Sequence, residues 1–452
     1  MMKLKYDKVI FVEAFRNPYI DRRGKIFSDL GYECELWRWY KDDSFKKTLK
    51  ENGPFKKFYY FKTEEEFKSL VDQTKGVEKI QFYTGVAGLY MGGVHSYFIK
   101  HCWEKSNLHL WPKEALFTLT NKHLTNCILR DLGITNNFFC KLNSSNYSSS
   151  QLEKIDSYPV IVKPIEGRGS MFVYKCENKK SLIGALEDYS QGSAKKVTDY
   201  SGGKVCISTN EKEIQYDAFH EVLIEDFAPG IEFSLDVYCD QGECEILLFL
   251  DKKVMVQGKA SFYQEYMIAQ NTRIPANVIE RAKSWINAIT TKLNHMSLFG
   301  HVEFIWDPSS DHLKLLEFNP REAGVLVANM IDLKRGLKID QLSVQKALGE
   351  KIDIKNLSKD NDCYLALAIF QPKESGILVN VRGVNELKKK LNPNIFGLMK
   401  NYSIGKEIMA DHEEYFLITL GLKANSNEEL EKLYYEAKNL IEFEIEPFKK
   451  SE

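Results

Sequence analysis

The stretch LKLLEFNPREAG (residues 313–324) combines the start of a buried strand with polar side chains that share one face. The apolar start predicts a strand, and the Asn-Pro step predicts where it ends. Because successive side chains of a strand alternate between its two faces, Glu317, Asn319 and Arg321 are expected to point the same way. An acid, an amide and a guanidinium on one face of a buried strand indicate a functional surface.

The preceding segment, GHVEFIWDPSSDH (residues 300–312), predicts the partner strand of a hairpin. VEFIW is rich in β-branched and aromatic residues, and DPSSD has the composition of a turn. If Asp307 pairs with Leu313, Glu303 lies opposite Glu317. The apolar residues are then expected together on the other face: Val302, Phe304, Trp306, Leu316 and Phe318.

Two acids that face each other across a hairpin predict a positive group between them. Like charges directly opposite each other destabilise a pair of strands. Carboxylates from Glu303 and Glu317 and the amide oxygen of Asn319 are hard ligands that suit Mg²⁺, which also binds substrate phosphates. A one-residue change in register would separate the acids, so a solvated acidic face remains open as the alternative.

The composition is that of a globular protein with a large core. The chain has 452 residues, 44% hydrophobic and 28% charged, with a net charge of −1. The length predicts about two to four domains, and the charge gives no reason to expect nucleic acid or a membrane surface as partner. The nine cysteines are scattered without a CxxC pair, which predicts reduced thiols in a cytoplasmic protein.

The pattern of elements changes along the chain. Strands alternate with helices up to about residue 112, which predicts an open α/β sheet. A Gly-rich stretch, GVAGLYMGGVH (residues 85–95), lacks the GxGxxG pattern, so it predicts a tight turn or close packing rather than a dinucleotide-binding loop. A helix is predicted over residues 120–133 and a loop over residues 188–220. After residue 332 an α+β unit is expected, with a long helix over residues 427–445.

A candidate phosphate loop occurs in VIVKPIEGRGSMFV (residues 160–173). A buried strand delivers Lys163, and Gly167, Gly169 and Ser170 follow in a turn. Glycines let backbone N–H groups approach an anion, and the lysine supplies a positive charge. An ordinary hairpin with a solvent-exposed lysine remains the alternative.

A candidate base and ribose segment occurs in LIEDFAPGIEF (residues 223–233). A strand ends at Glu225 and Asp226, a Pro-Gly turn follows, and Glu232 begins the next strand. Backbone groups in such a connection can bind the edge of a base, and a carboxylate can accept hydrogen bonds from ribose hydroxyls. An acidic hairpin without a ligand remains the alternative.

These motifs, in this order over residues 120–332, resemble those of the ATP-grasp superfamily of carboxylate–amine ligases. The resemblance implies an α+β protein with the ATP-grasp fold. It divides into an N-terminal α/β pre-ATP-grasp lobe (residues 1–112), the ATP-grasp region (residues 113–332) and a C-terminal α+β lobe (residues 333–452). The tail ALAIFQPKESGILVNVRGVNELKKK is similar to the C-terminal domain of the L-amino-acid (dipeptide) ligases.

The resemblance implies a nucleotide role for a defined set of residues. Lys122 and Lys163 are expected on the α- and β-phosphates of ATP. The turn with Gly167, Gly169 and Ser170 is expected over the β- and γ-phosphates. The ribose is expected on the carboxylate of Glu232. The adenine is expected on the backbone of four consecutive residues, Glu225, Asp226, Phe227 and Ala228.

The resemblance also implies metal and substrate residues. Glu303, Glu317 and Asn319 are expected to hold two Mg²⁺ ions, with Mn²⁺ as a substitute. Arg321 is expected to orient the acyl phosphate or its parent carboxylate, and Gly324 belongs to the same R-x-x-G element. Glu265, in LDKKVMVQGKASFYQEY, is expected to bind the amine, although the histidine that the family has shortly after this acid is missing from QEYMIA.

The implied function is ATP-dependent formation of an amide or peptide bond through an acyl phosphate, with release of ADP and phosphate. Small-molecule carboxylate and amine substrates are the expected partners, and a homodimer is left open. A biotin-carboxylase-like enzyme, a purine-pathway ligase and an inactive nucleotide-binding regulator remain alternatives.

Overall fold

The computed structural model describes the chain outside a set of short segments. These are residues 1–4, 14–17, 41–42, 48–50, 78, 85–97, 99, 107–112, 136, 168–169, 197–203, 209–212, 295–296, 325, 360, 411–415 and 449–452. The predicted glycine turn at residues 85–95 and the phosphate-loop residue Gly169 therefore lie outside the described residues. In the part that is described, no helix has both the length and the apolar character needed to cross a membrane.

The N-terminal lobe is built on a parallel sheet of four strands, in the order β3-β2-β1-β4. Its strands are β1 (Lys8–Glu13), β2 (Glu33–Trp39), β3 (Lys57–Phe61) and β4 (Ile80–Tyr83). Its helices are α1 (Pro18–Asp29), α2 (Asp43–Lys46) and α3 (Glu64–Asp72), and a 3₁₀ helix follows at Trp103–Lys105. Strand β1 is buried on both faces, as is usual for a parallel strand covered by helices. This is the open α/β sheet that the sequence predicts.

The second sheet is antiparallel and has the strand order β5-β10-β6-β7. Its strands are β5 (Phe139–Asn143), β6 (Val160–Pro164), β7 (Tyr174–Cys176) and β10 (Glu221–Asp226), and a separate hairpin contains β8 (Lys204–Ser208) and β9 (Glu213–Asp217). The helices of this segment are α4 (Lys113–Thr120), α5 (Lys122–Asp131), α6 (Ser149–Leu152) and α7 (Lys179–Lys196).

The largest sheet has eight strands, in the order β15-β14-β11-β12-β13-β16-β20-β18. Its first part comprises β11 (Ile231–Asp240), β12 (Glu243–Gln257), β13 (Phe262–Ile268), β14 (Leu298–Asp307) and β15 (His312–Asn319). Helix α8 (Ala276–Lys292) packs on this part, because Val278, Ala282, Ile286 and Ile289 place one apolar stripe in the core.

The C-terminal region continues the same sheet. It contains α9 (Val327–Arg335), α10 (Ile339–Ala347), α11 (Ile354–Leu357), β16 (Tyr364–Phe370), β17 (Gly376–Arg382), α12 (Val384–Leu391), β18 (Ile395–Lys400), β19 (Glu407–Ile408), β20 (Ile418–Ala424), α13 (Asn427–Leu440) and β21 (Glu442–Glu446). Strand β16 pairs with β13, with Met267 opposite Leu367. The backbone hydrogen bonds of the sheet therefore cross the predicted boundary at residue 332, and the domain division stays a prediction.

The β14–β15 hairpin brings the predicted acids together by an unexpected register. Asp307 pairs with His312 rather than with Leu313, so the predicted register at the turn is wrong by one residue. A β-bulge then shifts the pairing, and Glu303 lies opposite Glu317 as predicted. One extra residue on β15 restores the alignment.

The bulge also changes which leucine of β15 is buried. Leu315 is 4% exposed and belongs to the core beside Phe318. Leu316, which the alternation predicts for the core, instead lines a cavity. The prediction for Leu316 is wrong because simple alternation does not survive an inserted residue.

A buried arginine connects the N-terminal lobe to the loop after β15. Arg23 on α1 places Nη2 2.9 Å from Glu322 Oε1 and Nε 2.9 Å from Asp340 Oδ1. Its Nη1 donates to the hydroxyl of Tyr83 at 3.1 Å, and Ser343 also donates to Glu322. Arg23 of α1 and Ser343 of α10 thus hold Glu322, the residue directly after Arg321. Tyr83 of the N-terminal sheet in turn holds Arg23.

Three predictions from the sequence need correction. The predicted loop at residues 188–220 instead contains the end of α7 and the β8–β9 hairpin, and the next strand, β10, begins directly after it at Glu221. The predicted helix at residues 427–445 ends at Leu440, because EFEIE alternates in the manner of a strand and pairs with β17. Cys239 and Cys244, predicted as reduced thiols, face each other across the β11–β12 pair and are disulfide-bonded.

We expect the turn before β11 to tolerate no side chain at Gly230. This glycine has φ +138°, and an added Cβ would lie 2.3 Å from the carbonyl oxygen of Trp306. Gly230→Ala should therefore lower the free energy of unfolding by about 2 kcal/mol or more. Urea unfolding followed by tryptophan fluorescence measures the change.

Gly184→Ala is the matched control for Gly230→Ala. Gly184 lies in α7, and an added Cβ there has no neighbour within 4 Å. This change should be neutral or stabilising by up to about 1 kcal/mol. Equal unfolding midpoints for the two variants would contradict the assigned turn.

Candidate active site

The second and the eight-stranded sheets enclose a cavity of about 270 Å³. Most sequence-predicted nucleotide and metal residues line it: Lys122, Lys163, Gly167, Ser170, Glu225, Asp226, Phe227, Ala228, Glu232, Glu303 and Glu317. Three more predicted residues, Asn319, Arg321 and Gly324, follow Glu317 in the chain and lie outside this wall as far as the structure describes it. The fold therefore gathers residues that are distant in sequence into one site.

Two lysines enter the cavity from different elements. Lys122 begins α5 because the side chain of Asn121 caps the helix. The backbone amide of Lys122 donates to the carbonyl oxygen of Ile165 at 2.8 Å. Its Nζ lies 3.1 Å from Glu317 Oε1 and 3.4 Å from the carbonyl oxygen of Gly167. The start of the helix is thus joined to the turn that the sequence predicts for phosphates.

Lys163 is presented by the buried strand β6. Its Nζ lies 2.7 Å from Glu225 Oε1 and 3.3 Å from the carbonyl oxygen of Leu316. Farther along the turn, Ser170 and Phe172 have φ values of 52° and 58°. Residues other than glycine rarely adopt this conformation, so the backbone at these two positions is strained.

Buried cations offset the repulsion between the facing acids. Lys252 on β12 lies 2.9 Å from Glu303 Oε2 and 3.2 Å from Glu232 Oε2. Burial alone would lower the pKa of Lys252, but the two carboxylates raise it. Lys122 plays the same part for Glu317, because its Nζ lies 3.1 Å from Glu317 Oε1.

His301 adds a second positive group beside Glu303. Its Nε2 lies 3.1 Å from Glu303 Oε1, and its Nδ1 lies 3.3 Å from Asp236 Oδ1. Burial would lower the pKa of His301, but the two carboxylates raise it to about 9. Burial would likewise raise the pKa of Glu303, but Lys252 and His301 hold it well below its usual range.

The end of β10 carries a network of charged side chains. Glu225 Oε1 lies 2.7 Å from Lys163 Nζ and 3.5 Å from Lys314 Nζ, and its Oε2 accepts from Asn126 Nδ2 at 3.4 Å. Lys314 also donates to the carbonyl oxygen of Asp226 at 2.6 Å. Burial would raise the pKa of Glu225, but the two lysines lower it.

The backbone of the same segment is partly engaged within the protein. The amide of Asp226 donates to Phe138 O at 3.2 Å, and the amide of Phe227 donates to Pro159 O at 3.1 Å. Of the residues predicted to bind a base, Ala228 is therefore the best placed to offer its amide to the cavity that it lines.

Comparison with known proteins agrees with this geometry. Residues 156–329 match the family model described as an ATP-grasp domain. The protein has an ATP-grasp fold. No curated protein matches the sequence.

Solved ATP-grasp structures match nearly the whole chain. An L-amino acid ligase from Bacillus licheniformis has a TM-score of 0.73 at 18% identity, over 98% of this chain and 100% of that one. Biotin carboxylase from Campylobacter jejuni, solved as a βγ-ATP complex, has a TM-score of 0.60 at 14% identity, over 97% and 92%. N5-carboxyaminoimidazole synthetase from Staphylococcus aureus with ADP has a TM-score of 0.61 at 14% identity, over 96% and 98%. At these identities the likeness shows the fold, which amino-acid, biotin-carboxylase and purine-pathway ligases share.

The acidic face of this ATP-grasp site fits a divalent cation. The side chains of Glu303 and Glu317 keep 22% and 23% of their surface exposed, and Asn319 follows on the same strand. Among the described residues, no three His, Cys, Asp or Glu side chains form a metal site on their own. A bound Mg²⁺ would therefore complete its coordination with water and nucleotide oxygens, which is the usual arrangement for this ion.

The predicted amine ligand Glu265 lies elsewhere. Its Oε1 accepts hydrogen bonds from Tyr434 and Lys438 of α13, whereas the adjacent Gln264 lines the cavity. Neighbouring strand residues point to opposite faces, so one of the two must face the C-terminal helix. This arrangement does not support the predicted amine contact of Glu265.

Arg321 lies in the turn that ends β15. Its amide donates to Asn319 O at 2.8 Å, its Nη1 donates to Glu322 O at 2.8 Å, and its Nη2 lies 3.5 Å from Asn319 Oδ1. These contacts fix the guanidinium next to Asn319, one step beyond the acidic pair. The backbone carbonyl of Glu322, rather than its carboxylate, is the partner here, and that carboxylate binds Arg23.

The sequence analysis missed Lys252, Lys314 and His301. A pattern for His301 was present, since GHVEF places it two residues before Glu303 and therefore on the same strand face. Lys252 and Lys314 stand inside apolar strands, where a lysine is rarely buried without a partner. Their acidic partners are on other strands, so the sequence alone does not identify them.

A partly buried carboxyl group anchors the turn after β6 to neighbouring elements. Glu166 accepts a hydrogen bond from the hydroxyl of Tyr216 on β9, and Thr120 Oγ1 lies 3.5 Å from the same oxygen. Burial raises the pKa of Glu166 to about 7, although Tyr216, nearby Lys122 and Thr120 each lower it. The contact connects the end of α4, the phosphate turn and the β8–β9 hairpin.

We expect Glu166 to make stability depend on pH between about 4.5 and 7. A carboxyl whose pKa is raised on folding contributes stability below its ordinary value of 4.5, and this contribution is lost as the pH rises through about 7. Relative to Glu166→Gln, the native chain should therefore lose stability over this window, by about 3 kcal/mol at most. Urea unfolding at pH 5 and pH 8 measures the difference.

Glu243→Gln is the control for Glu166→Gln, because the Glu243 side chain is 83% exposed. It should leave the pH dependence of the native chain unchanged. Parallel unfolding curves for the native chain and Glu166→Gln at both pH values would show that Glu166 is not held protonated by burial.

Proposed function

We propose that this protein is an ATP-dependent carboxylate–amine ligase that acts on amino acids or amino-acid-like substrates. The observation that carries the proposal is the arrangement in one cavity of Lys122, Lys163 and the facing pair Glu303 and Glu317. Arg321 lies just past this pair, where a second substrate can approach the nucleotide. The full-length likeness to an L-amino acid ligase supports the choice of substrates.

The nucleotide is held by residues with distinct roles. The ammonium groups of Lys122 and Lys163 neutralise phosphate charge, and backbone N–H groups around Gly167 and Ser170 approach the phosphates closely. Glu232 binds the ribose hydroxyls. Glu303, Glu317 and Asn319 would hold Mg²⁺, which would neutralise charge on the transferring phosphoryl group.

The reaction follows from the chemistry of carboxylates. A carboxylate carries no good leaving group, so its oxygen first attacks the γ-phosphorus, the bond to ADP breaks, and an acyl phosphate forms. The neutral amine then attacks the acyl carbon, phosphate leaves with the C–O bond electrons, and the nitrogen releases a proton. Arg321 holds two oxygens of the carboxylate or acyl phosphate with its planar fork. Catalysis rests on positioning and electrostatics, and the site must keep water from the intermediate.

The alternative ligases share the fold, so a substrate test must separate them. Biotin carboxylase and N5-carboxyaminoimidazole synthetase match the chain at lower TM-scores than the L-amino acid ligase does. A nucleotide-binding regulator without activity is disfavoured because both acids, Glu303 and Glu317, are present with their lysine partners.

A screen of amino-acid pairs should show ADP and phosphate released together with an amide product. An acyl phosphate route cleaves ATP at the γ-phosphate, whereas an adenylate route releases AMP and pyrophosphate. Glu317→Gln should lower turnover by about 10² or more, because it removes one charge from the acidic pair. Nucleotide analysis and mass spectrometry of the products measure which nucleotide is released and how far Glu317→Gln lowers turnover. Stoichiometric AMP would rule out the acyl phosphate route, and tight ATP binding without turnover for any pair would favour a regulator.

Arg321→Lys should uncouple ATP cleavage from product formation. Lysine offers a compact charge in place of a planar fork, so the carboxylate is held less well. We expect about 1–3 kcal/mol to be lost from product formation, the usual contribution of a charged hydrogen bond. Binding of a non-hydrolysable ATP analogue should be unchanged, and ATP hydrolysis without product should rise.

Arg335→Lys on α9 is the matched control, because Arg335 Nε donates to Ser358 Oγ at 2.7 Å, away from the cavity. It should leave coupling unchanged. If Arg321→Lys weakens the ATP analogue and leaves turnover intact at saturating ATP, Arg321 belongs to the nucleotide site instead.

A further inference from the structure

Apolar side chains line the cavity on both sides and define its apolar slot. Ile161 of β6 and Val173, just before β7, lie on one side, and Ile305 and Leu316 of the eight-stranded sheet lie on the other. Leu316 is available there only because the bulge in β15 turns it out of the core. If the proposed function holds, this slot receives the purine of the nucleotide, since the faces of a purine ring suit apolar contacts better than phosphates do.

The acceptors beside this slot already bind ammonium and amide groups of the protein. Glu225 Oε1 lies near both Lys163 and Lys314, and its Oε2 accepts from Asn126. The Asp226 carbonyl accepts from Lys314 at 2.6 Å. A ring that enters the slot therefore meets ammonium groups at this edge.

Lys314 is positioned to contribute a further hydrogen bond. An ammonium group has three N–H donors, and the Asp226 carbonyl and Glu225 account for two of them. Lys314 lines the cavity although it is only 5% exposed, so its remaining donor faces a desolvated wall. A hydrogen bond from a charged donor in such surroundings is stronger than one between neutral groups.

The purine bases differ in what they present at position 6. Adenine has an amino group there, which is a donor, whereas hypoxanthine and guanine have a carbonyl oxygen, which is an acceptor. We propose that Lys314 is the specificity-determining residue for the purine edge and that it admits 6-oxo purine triphosphates as phosphoryl donors beside ATP. ATP is still accepted, because the second lone pair of the Asp226 carbonyl can accept from its amino group.

The test compares ATP with ITP, whose bases differ at position 6. Competition binding against a fluorescent ATP analogue gives the affinity of the protein for each nucleotide. The native chain should bind ITP within about tenfold of ATP. Lys314→Met removes the charge and keeps the length of the side chain, so the ITP-to-ATP affinity ratio should fall about ten- to a hundredfold, as for loss of one charged hydrogen bond.

Two further variants make the result specific. Lys314→Gln removes the charge but keeps a polar side chain, so it should also lower the ITP-to-ATP affinity ratio, and it stands in if the methionine variant does not fold. Lys253→Met alters the next lysine along β12 after Lys252, which contacts Thr272 and Asp251 outside the cavity, and it should change neither affinity.

Each outcome has a distinct meaning. An unchanged ITP-to-ATP ratio in Lys314→Met, or no ITP binding by a native chain that binds ATP, overturns the role of Lys314 and leaves the proposed function standing. A native chain that binds no nucleotide at all overturns the proposed function itself.

Discussion

The facing pair of Glu303 and Glu317 is the constraint around which the site is arranged. Two carboxylates at one cross-strand position repel each other, and burial increases the cost. The structure offsets this with Lys122 from α5, Lys252 from β12 and His301 from β14 itself. Removing one partner of such a buried set leaves an uncompensated charge, so these elements depend on one another.

This dependence explains why the cavity has a defined shape before a ligand enters. Lys122 connects the acidic pair to the carbonyl oxygen of Gly167, and Lys252 connects it to the carboxylate of Glu232. Catalysis by positioning requires groups that do not reorganise during the reaction. A network of partly buried ion pairs would meet this requirement in the proposed ligase.

The sequence predicted the parts of the site that follow from local rules. Alternation along a strand placed Glu317 and Asn319 on one face, and the composition of the phosphate turn indicated an anion site. The rest depended on long-range pairing. The Glu265 carboxylate accepts hydrogen bonds from Tyr434 and Lys438, which lie far along the chain. No local sequence pattern predicts that contact. The alternation of side chains could not predict the register of the β14–β15 hairpin either, because a bulge compensates for a one-residue offset at the turn.

The buried Arg23 has a consequence for recombination between related proteins. Its partners Glu322 and Asp340 lie more than 290 residues later in the chain, so ion pairs couple the N-terminal lobe to the loop beside Arg321. A chimera that takes its N-terminal lobe from a relative would leave the Glu322 carboxylate without that partner in a partly buried site. Exchange of this lobe would therefore succeed only when the residues at positions 23, 322 and 340 are transferred together.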